Sequence, residues 1–284
     1  MITVFSDNKE VPVNKVEFSD GAITYKLDTL PESPRYISIN VCPSTPVKDI
    51  REEVDMICDC IHGLRLKTSA KLILNIPYFP YARCDRIFEK GNPNALESFC
   101  YWVRDYIEGF DEVHTCDVHN ETPVRYILGE ELHVKSQLSC YRESIPFDFD
   151  TKYNYVIVPD KGATNKAATI ANYLGQEVGI QYAGKKRCIE TGRIIETTLP
   201  EDVDFTGAKC LIPDDLCDGG YTFIKLAEKL RERGAVQVDL YVTHLIASKG
   251  LKLLDGVIDN LYYYHIVGKH INNEDVLNFN NKTI

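Results

Sequence analysis

The sequence lacks several features, and each absence excludes a class of protein. No apolar run approaches the length that spans a bilayer, so neither a membrane protein nor a membrane partner is expected. The N-terminal segment Met1–Val11 lacks the basic-then-apolar layout of a secretion signal, which predicts a cytoplasmic protein. Positive charge is not in excess. Against 42 Asp and Glu there are only 32 Lys and Arg, a formal net charge of −10. That balance leaves no general electrostatic footprint for DNA or RNA, and a polyanionic ligand would need locally placed cations. Zinc-type cysteine spacing is also missing: the 10 cysteines are scattered singly. The close pair Cys58 and Cys60 sits two residues apart on a predicted helix, so its members face different directions. Reduced, mostly buried thiols are expected. No low-complexity linker interrupts the chain.

What is present is an alternation of strand and helix patterns. Ile23–Leu27 and Tyr36–Val41 alternate as strands. Pro46–Leu64 reads as a helix with Val47, Ile50, Val54, Ile57, Ile61 and Leu64 on one face. Lys71–Pro77 is a buried strand, Asn94–Ile107 a helix, Glu112–Asp117 a strand, Val156–Val158 another, and Thr164–Leu174 a helix. Such alternation implies mainly parallel sheet with helices on both faces. At 284 residues the chain is long enough for two such α/β halves. The acidic, turn-prone segment Phe147-Asp148-Phe149-Asp150 is the expected junction, giving domains 1–147 and 148–284.

The most informative stretch is Lys209–His244. A strand is expected at Cys210–Ile212, followed by an acidic turn with Asp214, Asp215, Asp218, Gly219, Gly220 and Thr222. Helical spacing then begins at Phe223 and continues through Leu226, Ala227 and Leu230 to a stop at Gly234. Val236, Val238, Leu240 and Val242 alternate as a second strand. This is a βαβ unit with its loop at the carboxyl end of a strand, where open α/β sheets bind ligands. The glycine pair lets backbone N–H groups approach a phosphate, and Thr222 is suited to cap the helix. Three aspartates would repel a bare phosphate; they fit ribose hydroxyls, or Mg²⁺ bound to diphosphate. A solvated acidic turn is the plainer alternative, and the acids together with the glycines favour a sugar-phosphate site.

Asp214–Thr222 resembles the loop that holds phosphoribosyl diphosphate in type I phosphoribosyltransferases and ribose-phosphate pyrophosphokinases. The N-terminal half separates those two. Pro77–Arg86 carries two prolines and two arginines directly after a strand. Arg83 and Arg86 suit phosphate forks, while the aromatics either flank a purine or pack the turn. This stretch is similar to the ATP-contacting loop of the pyrophosphokinases, in which glutamine usually stands at the position of Cys84. Strand alternation puts Asp117 and His119 on one side. The resemblance implies that His119 is a ligand of Mg·ATP, although Mg²⁺ prefers oxygen. It also implies ATP contacts for Phe18, Asp20 and Asp85. Val158–Ala163 resembles the family's Pro-Asp-Ala-Gly turn, where Asp160 serves a second metal, caps a helix, or does both. Gly184–Arg187 resembles the mobile catalytic loop, with Lys185 and Arg187 as the catalytic pair; on charge alone it is a solvated basic turn.

The resemblance therefore implies two phosphoribosyltransferase type I-like domains, each a mainly parallel sheet flanked by helices. It implies ATP as co-substrate, Mg²⁺ as cofactor, and a homo-oligomer, dimer or hexamer. Asp214, Asp215, Asp218, Gly219, Gly220, Tyr221 and Thr222 would hold the ribose phosphate, with His119, Asp160, Asp214 and Asp215 at the metals. A transferase would supply only the sugar-phosphate loop in one domain, and a silent regulatory relative would bind nucleotides without turnover. Three positions depart from the family. The first strand and helix are shortened. Ala22 stands where an acid normally meets adenine. Gly219 and Tyr221 replace a hydroxyl and a glycine beside the expected 5′-phosphate. The last change leaves room for a larger acceptor, ADP-ribose, and so for a role in NAD metabolism rather than nucleotide biosynthesis.

Overall fold

The computed structural model describes residues 2–31, 33–63, 70–87, 89–105, 110–145, 151–187 and 194–281, with the backbone alone for 185–187 and 194–196. The chain divides into two compact units, Met1–Lys135 and Ser136–Ile284. The expected junction at Phe147–Asp150 lies outside the described residues.

The first unit runs β1 (Ile2–Ser6), β2 (Lys9–Val11), β3 (Val13–Glu17), β4 (Ile23–Leu27), β5 (Tyr36–Val41), α1 (Val47–Gly63), β6 (Lys71–Asn75), α2 (Ala95–Asp105), β7 (Glu112–Cys116), α3 (Glu121–Leu128) and β8 (Leu132–Lys135). Its sheet has the order β2-β1-β5-β6-β7-β8. β5 to β8 are parallel, and β1 is antiparallel to both its neighbours. Where the resemblance implied a shortened first helix, the chain turns straight back. Asp7 and Asn8 sit at φ 46° and 67°, the paired left-handed backbone of a two-residue hairpin. Asp7 also accepts a hydrogen bond from the Arg35 N–H at 3.1 Å. On one face of the sheet Ile39, Leu74, Val113 and Leu132 pack with Val54 and Ile57 of α1 and Leu96 and Phe99 of α2 into one core. β3 and β4 form a separate ribbon beside α1. The Cys60 thiol donates to the Tyr25 carbonyl at 3.1 Å, while Cys58 is fully buried, so the two thiols do face apart.

The second unit runs α4 (Gln137–Ser144), β9 (Tyr155–Val158), α5 (Thr164–Leu174), β10 (Gly179–Tyr182), β11 (Gly184–Arg187), β12 (Ile194–Thr198), β13 (Lys209–Cys217), α6 (Tyr221–Glu232), β14 (Gln237–Leu245), β15 (Leu261–Ile266) and α7 (Asn273–Asn281). All strands of the sheet β10-β9-β13-β14-β15 are parallel. β14 does not alternate as expected. Val238 to Leu245 are buried on both faces, as befits an inner parallel strand, and Val236 precedes it at 58% exposure. Leu240 and Val242 share a core with Phe223, Leu226 and Leu230 of α6. Tyr241 and Leu211 join Ala167 and Ile170 of α5 on the other side.

β14 also carries a fully buried acid. Asp239 accepts from Tyr153 Oη at 2.6 Å, Gln237 Nε2 at 2.8 Å and Asn260 Nδ2 at 2.9 Å. Burial pushes its carboxyl above the usual range, and the three donors pull it back. Tyr153→Phe strips one donor from a buried carboxylate and is expected to cost about 1–3 kcal/mol. Urea denaturation measures this; an unchanged midpoint would show that the hydroxyl contributes nothing.

No described helix is long and apolar enough to cross a membrane. No disulfide joins the described cysteines, and burial pushes the thiols of Cys58, Cys100 and Cys210 up to about 12.

Candidate active site

β13 does not stop at Ile212. It runs nine residues, Lys209–Cys217, and pairs with β14 as far as Cys217↔Leu245. Asp214 and Asp215 therefore lie on the end of a strand, not in an acidic turn. On the β9 side pairing ends at Leu211, so beyond it the strand has one neighbour and tolerates Pro213. Sheet pairing overrides the low strand propensity of aspartate here.

This placement concentrates negative charge. Asp215 is buried, and its N–H donates to Asp214 Oδ1 at 2.9 Å. The Asp214 carboxyl stands well above the usual range, first through lost hydration, then through the charges of Asp215 and Asp160. Asp160 lies two residues past the end of β9. Its Oδ1 accepts from the N–H of Gly162 at 3.0 Å and Ala163 at 3.4 Å, so it caps the following turn. Asp215 and Asp160 thus both bear electrostatically on Asp214.

The glycine turn differs from expectation in one respect. α6 begins at Tyr221, so Thr222 lies within its first turn and is not the cap. Gly220 occupies that position at φ 74°, its carbonyl accepting from Phe223 and Ile224 at 3.0 Å each. A Cβ there would strain the backbone and approach Leu254 Cδ2 to 3.1 Å. Tyr221 is 59% exposed at the head of the helix, and Gly219 is exposed beside it. Ser248, which sequence reasoning missed, donates its hydroxyl to Asp218. The N–H of Ile246 meets the Cys217 carbonyl at 2.8 Å, which anchors the loop after β14 to the acid loop. No local pattern marks Ser248, because only the pairing of β13 with β14 brings it there.

Lys185 and Arg187 are not in an open loop. Their backbone forms β11, antiparallel to β12, with Lys185↔Thr197 and Arg187↔Ile194 in register across an irregularity. Their side chains lie outside the described atoms.

In the first unit, two loops leave the carboxyl edge of the sheet side by side. The Cys116 N–H donates to the Pro77 carbonyl at 3.1 Å. In the Pro77–Arg86 loop the aromatics pack the turn. Phe79 is 1% exposed and meets Phe99 edge-on at 5.4 Å, and Tyr81 lies 5.8 Å from the same ring. Arg83 and Arg86 are exposed. Asp85 Oδ2 accepts from Asn120 Nδ2 at 2.9 Å, tying the arginine loop to the one carrying His119. Asn120 is a second missed residue. Asp117 and His119 do not share a face as strand alternation implied. β7 ends at Cys116, and Asp117 turns to φ 39°, so Asp117 is buried and His119 exposed. Phe18 and Asp20 occupy the turn of the β3–β4 ribbon. There Phe18 N–H meets the Ala22 carbonyl at 2.8 Å, and Asp20 accepts from the Ala22 N–H at 3.0 Å.

The second unit is an α/β sheet with acidic residues on β13 and a glycine-led helix after it, at the edge where open α/β sheets bind ligands. No family model matches the chain. The chain is 30% identical to the ribose-phosphate pyrophosphokinase of Thermococcus kodakarensis over 203 residues, 70% of this chain and 68% of that protein. It is 31% identical to that of Pyrococcus furiosus, with 70% and 68% covered, and 30% identical to that of Vibrio cholerae, with 85% and 75% covered. The phosphoribosylpyrophosphate synthetase of Mycobacterium smegmatis, a crystal structure, matches in fold: TM-score 0.67 at 20% identity, covering 88% of this chain and 79% of that one. The chain belongs to the ribose-phosphate pyrophosphokinase family.

Proposed function

We propose that the protein transfers the β,γ-diphosphoryl group of Mg·ATP to the C1 hydroxyl of a ribose 5-phosphate unit, releasing AMP. The observation that supports this reading is the raised carboxyl of Asp214, under the charges of Asp215 and Asp160, on the strand that leads into the Gly220 turn. A hydroxyl-rich sugar and a divalent cation both suit such acceptors, and Mg²⁺ in particular wants oxygen ligands. Asp160, Asp214 and Asp215 would hold the cation, which neutralises diphosphate charge when bound. His119, an exposed imidazole, is a poorer match for that ion, and its role rests on the family resemblance. Arg83 and Arg86 would grip the ATP phosphates. The C1 hydroxyl oxygen attacks the β-phosphorus in line and loses its proton to solvent; the new O–P bond forms as the β-phosphorus bond to the α,β-bridging oxygen breaks, and AMP leaves with that oxygen. Such a reaction needs positioning and charge compensation more than covalent help. Lys185 and Arg187 would supply positive charge to the transferring group.

A second reading keeps the chemistry and changes the acceptor to ADP-ribose. It is favoured by Tyr221, an exposed ring at the head of α6 where a 5′-phosphate pocket would want small residues and donors. The experiment compares AMP release with ribose 5-phosphate, with ADP-ribose and with no acceptor, in wild type and Tyr221→Gly. Ribose 5-phosphate as the better substrate, with selectivity unchanged in the variant, supports the first reading. Preference for ADP-ribose, weakened in the variant, supports the second. AMP formation with neither acceptor would return the chain to the transferase or regulatory alternatives.

A further inference from the structure

Within the first unit, β7 and β8 assemble a group of ligating side chains of their own. Glu112 and His114 are two residues apart on β7 and so share a face. His133 on β8 stands directly opposite His114 in the parallel ladder. The ligating atoms of Glu112, His114 and His133 all lie within 4.8 Å of one another. His114 Nε2 is 2.9 Å from Glu112 Oε2, and the two imidazole rings are 4.9 Å apart at 66°. Lys71 Nζ, 2.8 Å from Glu112 Oε1, orients the carboxylate and leaves its other oxygen to His114. Glu112 and His114 are half-buried and His133 is exposed, so the group is open to solvent on one side.

We propose that Glu112, His114 and His133 bind a divalent transition-metal ion of the zinc class. Two imidazoles and one carboxylate suit Zn²⁺ and its neighbours, whereas Mg²⁺ and Ca²⁺ select all-oxygen sites. With ligand bonds of ~2.0–2.1 Å, adjacent ligand atoms in a tetrahedral site stand ~3.3 Å apart. The Glu112–His114 pair must open by a few tenths of an ångström and His133 must swing inward. Both are side-chain rotations on strands whose backbone register is fixed by the ladder. Water completes the fourth position on the open side. The bound ion joins β7 to β8, which the Asp117 N–H also links through the Lys135 carbonyl at 2.9 Å. The ion therefore braces the strand pair that carries the His119 loop, and its effect is a gain in thermal stability.

The test uses the untagged full-length chain, stripped with chelator and titrated with ZnCl₂ by calorimetry in excess Mg²⁺, with Co²⁺ absorption as an independent probe of coordination. Wild type is expected to bind Zn²⁺ at a site that Mg²⁺ does not block, and to melt at a higher temperature when loaded. In His133→Ala, and separately in Glu112→Gln, that binding should weaken at least ~tenfold and the thermal gain should disappear. His133 is exposed, so its loss should not unfold the chain, and circular dichroism checks this. The proposal is overturned if wild type binds no Zn²⁺ at tens of micromolar. It is equally overturned if both variants keep wild-type affinity and stoichiometry.

Discussion

Replacing Lys185 or Arg187 by alanine is expected to lower kcat by roughly 10²–10³-fold while KM for ATP moves only a few-fold. The two positions flank Lys186 on β11, within a ribbon formed with β12 and not in either main sheet. Under the diphosphoryl-transfer reading, negative charge builds on the equatorial and leaving oxygens as the bond breaks. A cation that meets this charge only then lowers the barrier without tightening ground-state binding. Initial rates of AMP release across a range of ATP concentrations separate the two constants. If both variants keep near-wild-type kcat, the catalytic assignment is wrong; if KM rises alone, the ribbon binds ATP and does not act on the transition state.

Asp214→Asn should push stability and activity in opposite directions. Asp214 shares its site with Asp215 and Asp160, and its ionised form is disfavoured by lost hydration and by both neighbours. Asparagine keeps an oxygen for the Asp215 N–H and has no ionised form to disfavour. In chelator the variant is expected to gain on the order of 1 kcal/mol, a rise of a few degrees in Tm. Under the proposed reaction, turnover should fall at least ~100-fold, because cation and ribose would lose an anionic ligand. Adding Mg²⁺ should narrow the gap in Tm by favouring wild type. A variant that melts at or below the wild-type temperature in chelator would mean the three carboxylates do not strain the ligand-free fold.

The residues of the candidate site were readable as a group before their positions were. The run Asp214–Thr222 announced a sugar-phosphate loop, yet the strand continued through the first two acids because pairing with β14, a non-local partner, set its end. Thr222 looked like a cap by residue type. Gly220 took that place because only a left-handed residue makes the turn from β13 into α6. Alternation placed Asp117 and His119 together, and one residue at φ 39° undid it. Helix α1 and strand β5 were legible almost to the residue, since their apolar spacing is local and uninterrupted. Asn120 and Ser248 were invisible because their partners, Asp85 and Asp218, are distant in the chain. The Glu112–His114–His133 group needed the register of β7 with β8, which no single stretch of sequence contains.

The pairing of β9 with β13 has a kinetic consequence. Tyr155 meets Cys210, and Val156 meets Leu211, across a loop that encloses α5, β10 and the whole β11–β12 ribbon. Contacts of such high sequence separation close late, after shorter-range helices and turns have formed. Asp160 follows β9 and Asp214 lies just past the part of β13 that pairs with it, so the two cannot approach until those strands pair. Their mutual repulsion is therefore expected to arise late, near the native side of the folding barrier. Relieving it with Asp214→Asn should leave the refolding rate almost unchanged and appear as slower unfolding.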